Sequence, residues 1–138
     1  MKTDNTPSDA EKFKGKQGLQ RLMNATKYSM KGFKAAFENE AAFREETLLA
    51  IVLIPLALFL GLPAVETLLL IGSVLLLMLV EIMNSAVEAV VDRIGPEIHP
   101  LSGRAKDLGS AAVFIAIVIL VLSWLLIAGP VLWNLVIS

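Results

Sequence analysis

Glu81, Asn84, Glu88 and Asp92 follow one another at spacings of three, four and four, which on a helix sets all four on one face. Glu81, Asn84 and Glu88 interrupt an otherwise apolar run from Thr67 to Val91. A carboxylate left against hydrocarbon costs at least ~2.5–3.5 kcal/mol, so such a stripe is expected to face protein, water or bound cations. Its bland reading is a hydrogen-bonded seam between helices, but ionisable groups inside apolar segments are functional by default. A second acidic group, Glu38, Glu40, Glu45 and Glu46, stands just ahead of the preceding apolar run. Carboxylates from two segments meeting at one level suit magnesium, a hard ion that takes one or two carboxylates plus substrate phosphates. Glu40 and Glu88 are the natural pair for it.

The elements that must carry these groups are helices in a membrane. The 138-residue chain is 56% hydrophobic, above the roughly 45–50% of soluble domains. Three runs reach the roughly 17–25 residues of a spanning helix: Thr47 to Val65, Thr67 to Val91, and Leu108 to Ala128. Pro55 predicts a kink in the first. The Gly61-Leu62-Pro63 turn makes the first two an antiparallel hairpin, and Asp92 to Asp107 forms a loop. The Gly129-Pro130 breaker opens a C-terminal tail, 129–138. Ahead of the spans, residues 1–17 are a polar, loosely held extension. A helix over about 18–44 follows, with Leu19, Leu22, Met23, Met30, Phe33 and Phe37 on one face and Lys27, Lys31 and Lys34 on the other. That pattern suits a helix lying in the membrane interface, lysines towards anionic headgroups.

Every Lys and Arg lies either before Thr47 or between Asp92 and Asp107, which places the N-terminus and that loop in the cytoplasm. No apolar stretch near Met1 resembles a secretory leader. The fold class is thus an all-α, multi-pass membrane protein. Three slim helices shield an acidic stripe poorly, so a homo-oligomer with converging second spans is expected. The chain has no cysteine, which excludes a thiolate nucleophile and Cys-ligated metals. There is no G-x-x-x-x-G-K-[ST], no G-x-G-x-x-G, no H-R-D and no D-F-G, so the nucleotide folds that carry those motifs are excluded. The loop from Arg93 through His99 to Lys106 holds basic groups and turn formers that suit a polyphosphate, a weak signal by itself, and His99 beside Pro100 reads first as a loop residue.

Two stretches carry a resemblance. One is Asn39-Glu40-Ala41-Ala42-Phe43-Arg44. The other runs from Glu81-Ile82-Met83-Asn84-Ser85-Ala86-Val87-Glu88 through Asp92-Arg93 to Gly103-Arg104-Ala105-Lys106-Asp107-Leu108-Gly109-Ser110-Ala111-Ala112. Both closely resemble the prokaryotic diacylglycerol kinase family, over roughly Leu19 to Trp124. The resemblance implies a homotrimer of three-span protomers, each preceded by an amphipathic surface helix, in the bacterial inner membrane. It implies transfer of the γ-phosphate of ATP to diacylglycerol with magnesium, and no nucleic-acid partner. By the same resemblance Glu81 is the general base with Asn84 beside it, and Glu40 and Glu88 bind the metal. Arg21, Tyr28, Glu40, Glu88, Glu97, His99, Lys106 and Asp107 are implied at the nucleotide. Arg21, Ser29, Lys34, Glu46, Glu81 and Ser110 are implied at the lipid substrate.

Met30, in Tyr28-Ser29-Met30-Lys31-Gly32, stands where the family commonly has Trp, and Pro55 is a further departure. The alternative of the same fold is an undecaprenol kinase. From another class, a small proton-coupled transporter or channel would also carry carboxylates inside its spans.

Overall fold

The computed structural model describes residues 9–94 and 99–137, with side chains from residue 18 onward. Among the described residues every regular element is helical: α1 (Asp9–Asn39), α2 (Ala41–Phe59), α3 (Ala64–Ile94), α4 (Pro100–Ser123), a π-helical turn (Trp124–Ala128) and α5 (Gly129–Ile137). The chain divides into two units, one ending at Glu38 and one starting at Asn39. In the first, Leu22, Met23, Met30, Phe33 and Phe37 of α1 are all exposed. Thr26 Oγ1 donates to the Leu22 carbonyl at 3.0 Å, and Lys34 pairs with Glu38 at 3.6 Å.

The second unit is built on α3, which packs on α4 and on α2. Ala50, Val74, Leu77, Ala116 and Leu120 form one buried cluster, and Ala57, Leu70 and Ala128 form another. Alanines at these contacts let the backbones approach closely, as small residues do between membrane helices. Trp124 packs against both clusters. Ser73, inside α3, turns its hydroxyl back to the Leu70 carbonyl at 2.8 Å, so its burial leaves no donor unpaired. Outside this core much of the exposed surface within the apolar runs is made of large hydrophobic side chains. Leu68, Leu75, Leu79, Phe114, Ile115 and Leu125 all stand on the surface.

Two helices are long and apolar enough to cross a membrane, Ala64–Ile94 and the continuous helix Pro100–Ile137. Only 28% and 17% of their most apolar windows are buried, whereas the core helix of a soluble protein would be mostly covered. The apolar surface faces outward, as it does for a helix solvated by lipid.

Several expected boundaries move. α1 already begins at Asp9 within the expected extension, and it stops at Asn39, short of residue 44. Glu40 is extended, φ −108° and ψ 118°, and starts a new helix. α2 ends at Phe59 because Gly61 takes a left-handed φ of 66°, so Val65 belongs to α3. Within the expected loop from Asp92 to Asp107, the described residues are helical except His99. His99 caps α4, its Nδ1 accepting from Leu101 N at 3.2 Å, with Pro100 in the first turn where no amide is missed. Gly129-Pro130 does not break the C-terminal helix either. Pro130 stands one residue beyond the π turn, whose looser spacing already displaces the hydrogen-bond ladder, and α5 continues to Ile137.

Candidate active site

α3 presents its polar stripe at the end that leads to Ile94. Glu81 is only 5% exposed, so the single chain covers it, contrary to the expectation that an oligomer would be needed to shield that residue. Glu88 and Asn84 are half-buried and Asp92 is exposed. The Asn84 amide nitrogen donates to Glu88 Oε1 at 3.1 Å, one turn further along the same helix. That bond engages one of the two Glu88 oxygens and orients the carboxylate.

Glu40 and Glu46 of the first acidic group interact with Glu81 of the stripe. The charges of Glu40 and Glu88 act on Glu81, and that of Glu81 acts on Glu46. Glu40 reaches this neighbourhood from the turn between α1 and α2, and Glu46 from the second turn of α2. Carboxylates from three backbone segments thus lie within electrostatic range of Glu81. The buried oxygens Glu46 Oε2, Asn84 Oδ1 and Ser85 Oγ have no hydrogen-bond partner within the protein. Buried polar atoms are normally paired, so unpartnered ones beside carboxylates make this stretch the candidate site.

These donors fit a hard divalent cation. Among the described residues no three His or acidic side chains close into a ready cage, but magnesium asks for only one or two carboxylates when phosphates and water complete its shell. Glu40 and Glu88 supply that number.

On α4, Lys106 Nζ pairs with Asp92 Oδ1 at 2.6 Å, tying the first turns of α4 to the end of α3. The pair lies ahead of the charge-free run that begins at Leu108. The hydrogen bond to Asp92 holds Lys106 above the ordinary lysine value of 10.5, so it stays a cation throughout the physiological range. His99 spends its Nδ1 on the α4 cap, while Asp107 and Ser110 stand exposed. Glu97 lies outside the described residues. Arg21, Tyr28, Ser29 and Lys34 are all exposed on α1, with Lys31 Nζ 6.0 Å from the centre of the Tyr28 ring.

Residues 27–128 match the model of the family described as prokaryotic diacylglycerol kinase. The chain belongs to the prokaryotic diacylglycerol kinase family. A diacylglycerol kinase of Haemophilus influenzae is 61% identical over 107 residues, covering 78% of this chain and 91% of the relative. That of Escherichia coli strain K12 is 52% identical over 117 residues, 85% of this chain and 93% of the relative. A more distant one, from Helicobacter pylori strain 26695, is 42% identical over 108 residues, 78% and 84% of the two chains. The segment matched to the diacylglycerol kinase family begins at Lys27, so it contains Glu40, Glu46, Glu81, Asn84, Glu88 and Lys106 but not Arg21.

Two features of the site were not read from the sequence. The bond between Asp92 and Lys106 joins residues far apart in the chain, and only an acidic residue on the stripe and a basic one in the following segment hinted at it. Gly109 of α4 faces Asn84 so closely that a β-carbon there would fall on Asn84 Oδ1 and lie 3.2 Å from Asn84 Cγ. Nothing in the run Asp107-Leu108-Gly109-Ser110 marks that glycine except its type.

Proposed function

We propose that this chain is an integral membrane diacylglycerol kinase that transfers the γ-phosphate of ATP to the hydroxyl of diacylglycerol, forming phosphatidic acid. The supporting observation is the meeting of Glu40, Glu46, Glu81 and Glu88 around unpartnered buried oxygens, in a chain that belongs to this family. The relatives compared above are diacylglycerol kinases by name, and no feature of the site favours the polyprenyl alcohol undecaprenol instead.

In this proposal α2, α3 and the helix from Pro100 each cross the bilayer. α2 has 19 residues, about 28 Å at 1.5 Å per residue, which is close to the hydrocarbon thickness. The exposed apolar residues of α1 enter the interface with Lys27, Lys31 and Lys34 at the headgroups. The distribution of Lys and Arg puts the N-terminus and the acidic site on the cytoplasmic side of the inner membrane, where ATP is available. Three copies form a homotrimer, and because Glu81 is covered within one chain, the partner copies are needed at the half-exposed Glu88 and at the outward apolar faces.

Phosphoryl transfer asks the protein mainly to position the reactants and to balance charge. Arg21, Tyr28, His99, Lys106 and Asp107 are assigned to the nucleotide, and Arg21, Ser29, Lys34, Glu46, Glu81 and Ser110 to the lipid. Magnesium on Glu40 and Glu88 would supply positive charge against the phosphate oxygens. Lys106, kept charged by Asp92, adds a cation at the same end of the helices. Glu81 accepts the proton of the diacylglycerol hydroxyl as that oxygen attacks the γ-phosphorus and ADP departs. Asn84 holds Glu88 in its orientation through the 3.1 Å bond. The test is incubation of purified protein with γ-labelled ATP and magnesium in mixed micelles holding equal diacylglycerol and undecaprenol. Label is expected in phosphatidic acid. Label in polyprenyl phosphate alone, or none in the lipid phase, would reject the proposal.

A further inference from the structure

The contact between α3 and α4 at Asn84 explains how a flexible amide is kept in one orientation. A carboxylate only accepts hydrogen bonds, so the Asn84 face that meets Glu88 Oε1 at 3.1 Å must be the amide nitrogen. Asn84 Oδ1 is then turned the other way. It is buried and has no hydrogen-bond partner, so no bond within the protein holds it there. What stands opposite is Gly109, and Oδ1 occupies the space that a β-carbon of residue 109 would fill.

We infer that Gly109 is a positioning residue for the reaction: its missing side chain is the slot that seats the Asn84 amide so that its nitrogen stays on Glu88. Any larger residue must displace something. The nearest atom is the tip of a side chain rather than backbone, so Asn84 gives way while the helices stay packed. Rotating the amide out of the slot carries its nitrogen away from Glu88. The carboxylate then loses the hydrogen bond that orients it, and loss of such an outer partner typically costs ~10–100-fold in metal affinity or activity. Gly109 touches no reactant. Its effect passes through Asn84 to Glu88, and its catalytic consequence rests on the proposal that Glu88 holds the metal of a lipid kinase.

The test is a cycle of Gly109→Ala, Asn84→Ala and the double variant in full-length protein. In Gly109→Ala the magnesium concentration for half-maximal diacylglycerol phosphorylation should rise ~10–100-fold or turnover should fall by that factor. Added to Asn84→Ala, the same alanine should cost nothing further, because the atom it would strike is gone. The second readout needs no activity: the side-chain amide of Asn84, assigned in a ¹⁵N-asparagine spectrum by its loss in Asn84→Ala, should shift and exchange faster with water in Gly109→Ala. Equal losses in both backgrounds, or an unmoved Asn84 amide in folded Gly109→Ala, would overturn the inference. Should Gly109→Ala fail to fold, the double variant must recover folded protein, and a double variant equally unfolded would overturn it too. A wild-type protein that phosphorylates no diacylglycerol would sink the functional proposal alone, since the amide readout would still decide the seating of Asn84.

Discussion

The two ends of α3 are packed by different rules. Around Leu70 the helix is closed: Leu70, Ala57 and Ala128 have no exposed surface, the buried Ser73 nearby satisfies its own hydroxyl, and the indole Nε1 of Trp124, packed on this cluster, is the unpartnered polar atom there. Around Glu81 to Glu88 the same helix buries a carboxylate and leaves Asn84 Oδ1, Ser85 Oγ and the neighbouring Glu46 Oε2 without partners. A buried polar group without a partner costs ~1–3 kcal/mol. A chain selected for stability alone would not retain several of them side by side. The first end holds the helices together, whereas the second gathers unpartnered oxygens at some expense of stability, as the proposed reaction site would.

Variants can break this contrast or make it sharper. The largest effect is expected at Glu81. Glu81→Gln keeps the shape and removes the basic carboxylate, so turnover should fall ~10²–10⁴-fold while chromatographic size stays that of the wild type. Next comes Leu70→Ala, which empties a fully packed position and should destabilise the protein by ~2–5 kcal/mol in thermal or denaturant unfolding, with turnover per folded molecule unchanged. A large loss of turnover in the folded Leu70 variant would erase the division between the two ends. Glu40→Gln and Glu88→Gln should each raise the magnesium requirement by roughly 10–100-fold in a titration of activity, and an unmoved requirement in both would remove them from the metal site. The smallest effect belongs to the exposed Asp92–Lys106 pair. Because Asp92 raises the Lys106 pKa, the pair's support for folding is complete below the ordinary lysine value and fades only as pH climbs above it. Being exposed and screened by solvent, the pair contributes little even where that support is complete, so Lys106→Met should lower stability only slightly at neutral pH and show its loss chiefly in weaker use of ATP, read as a higher KM.

The polar end was the more legible of the two in the sequence. Spacings of three and four fix which residues share a face of α3, and a charge within an apolar run is conspicuous, so Glu81, Asn84 and Glu88 could be found without coordinates. The turn at Gly61 was equally plain, because Gly61-Leu62-Pro63 sets two breakers between two long apolar runs. Contacts between helices were not legible. Gly109 against Asn84 and Lys106 on Asp92 depend on the rotation of α4 relative to α3, which no periodicity in one helix reveals. Breakers also misled. Pro100 opens α4 under its His99 cap, and Gly129-Pro130 is carried inside a helix after a π turn, because proline is harmful only where a helix needs its amide. The shielding of Glu81 within one chain was missed for a related reason: the stripe gave its face, but not how deeply α2 and α4 close over it.

In the proposed reaction a carboxylate held at the polar end of α3 takes the proton of the lipid hydroxyl. This role is tested most directly by single-turnover rapid quench of Glu81→Gln at saturating magnesium, ATP and diacylglycerol, with nucleotide affinity measured on the same sample. Nucleotide affinity should match the wild type while the phosphoryl-transfer step slows ~10²–10⁴-fold. A transfer step close to the wild-type rate in fully assembled Glu81→Gln protein would contradict it.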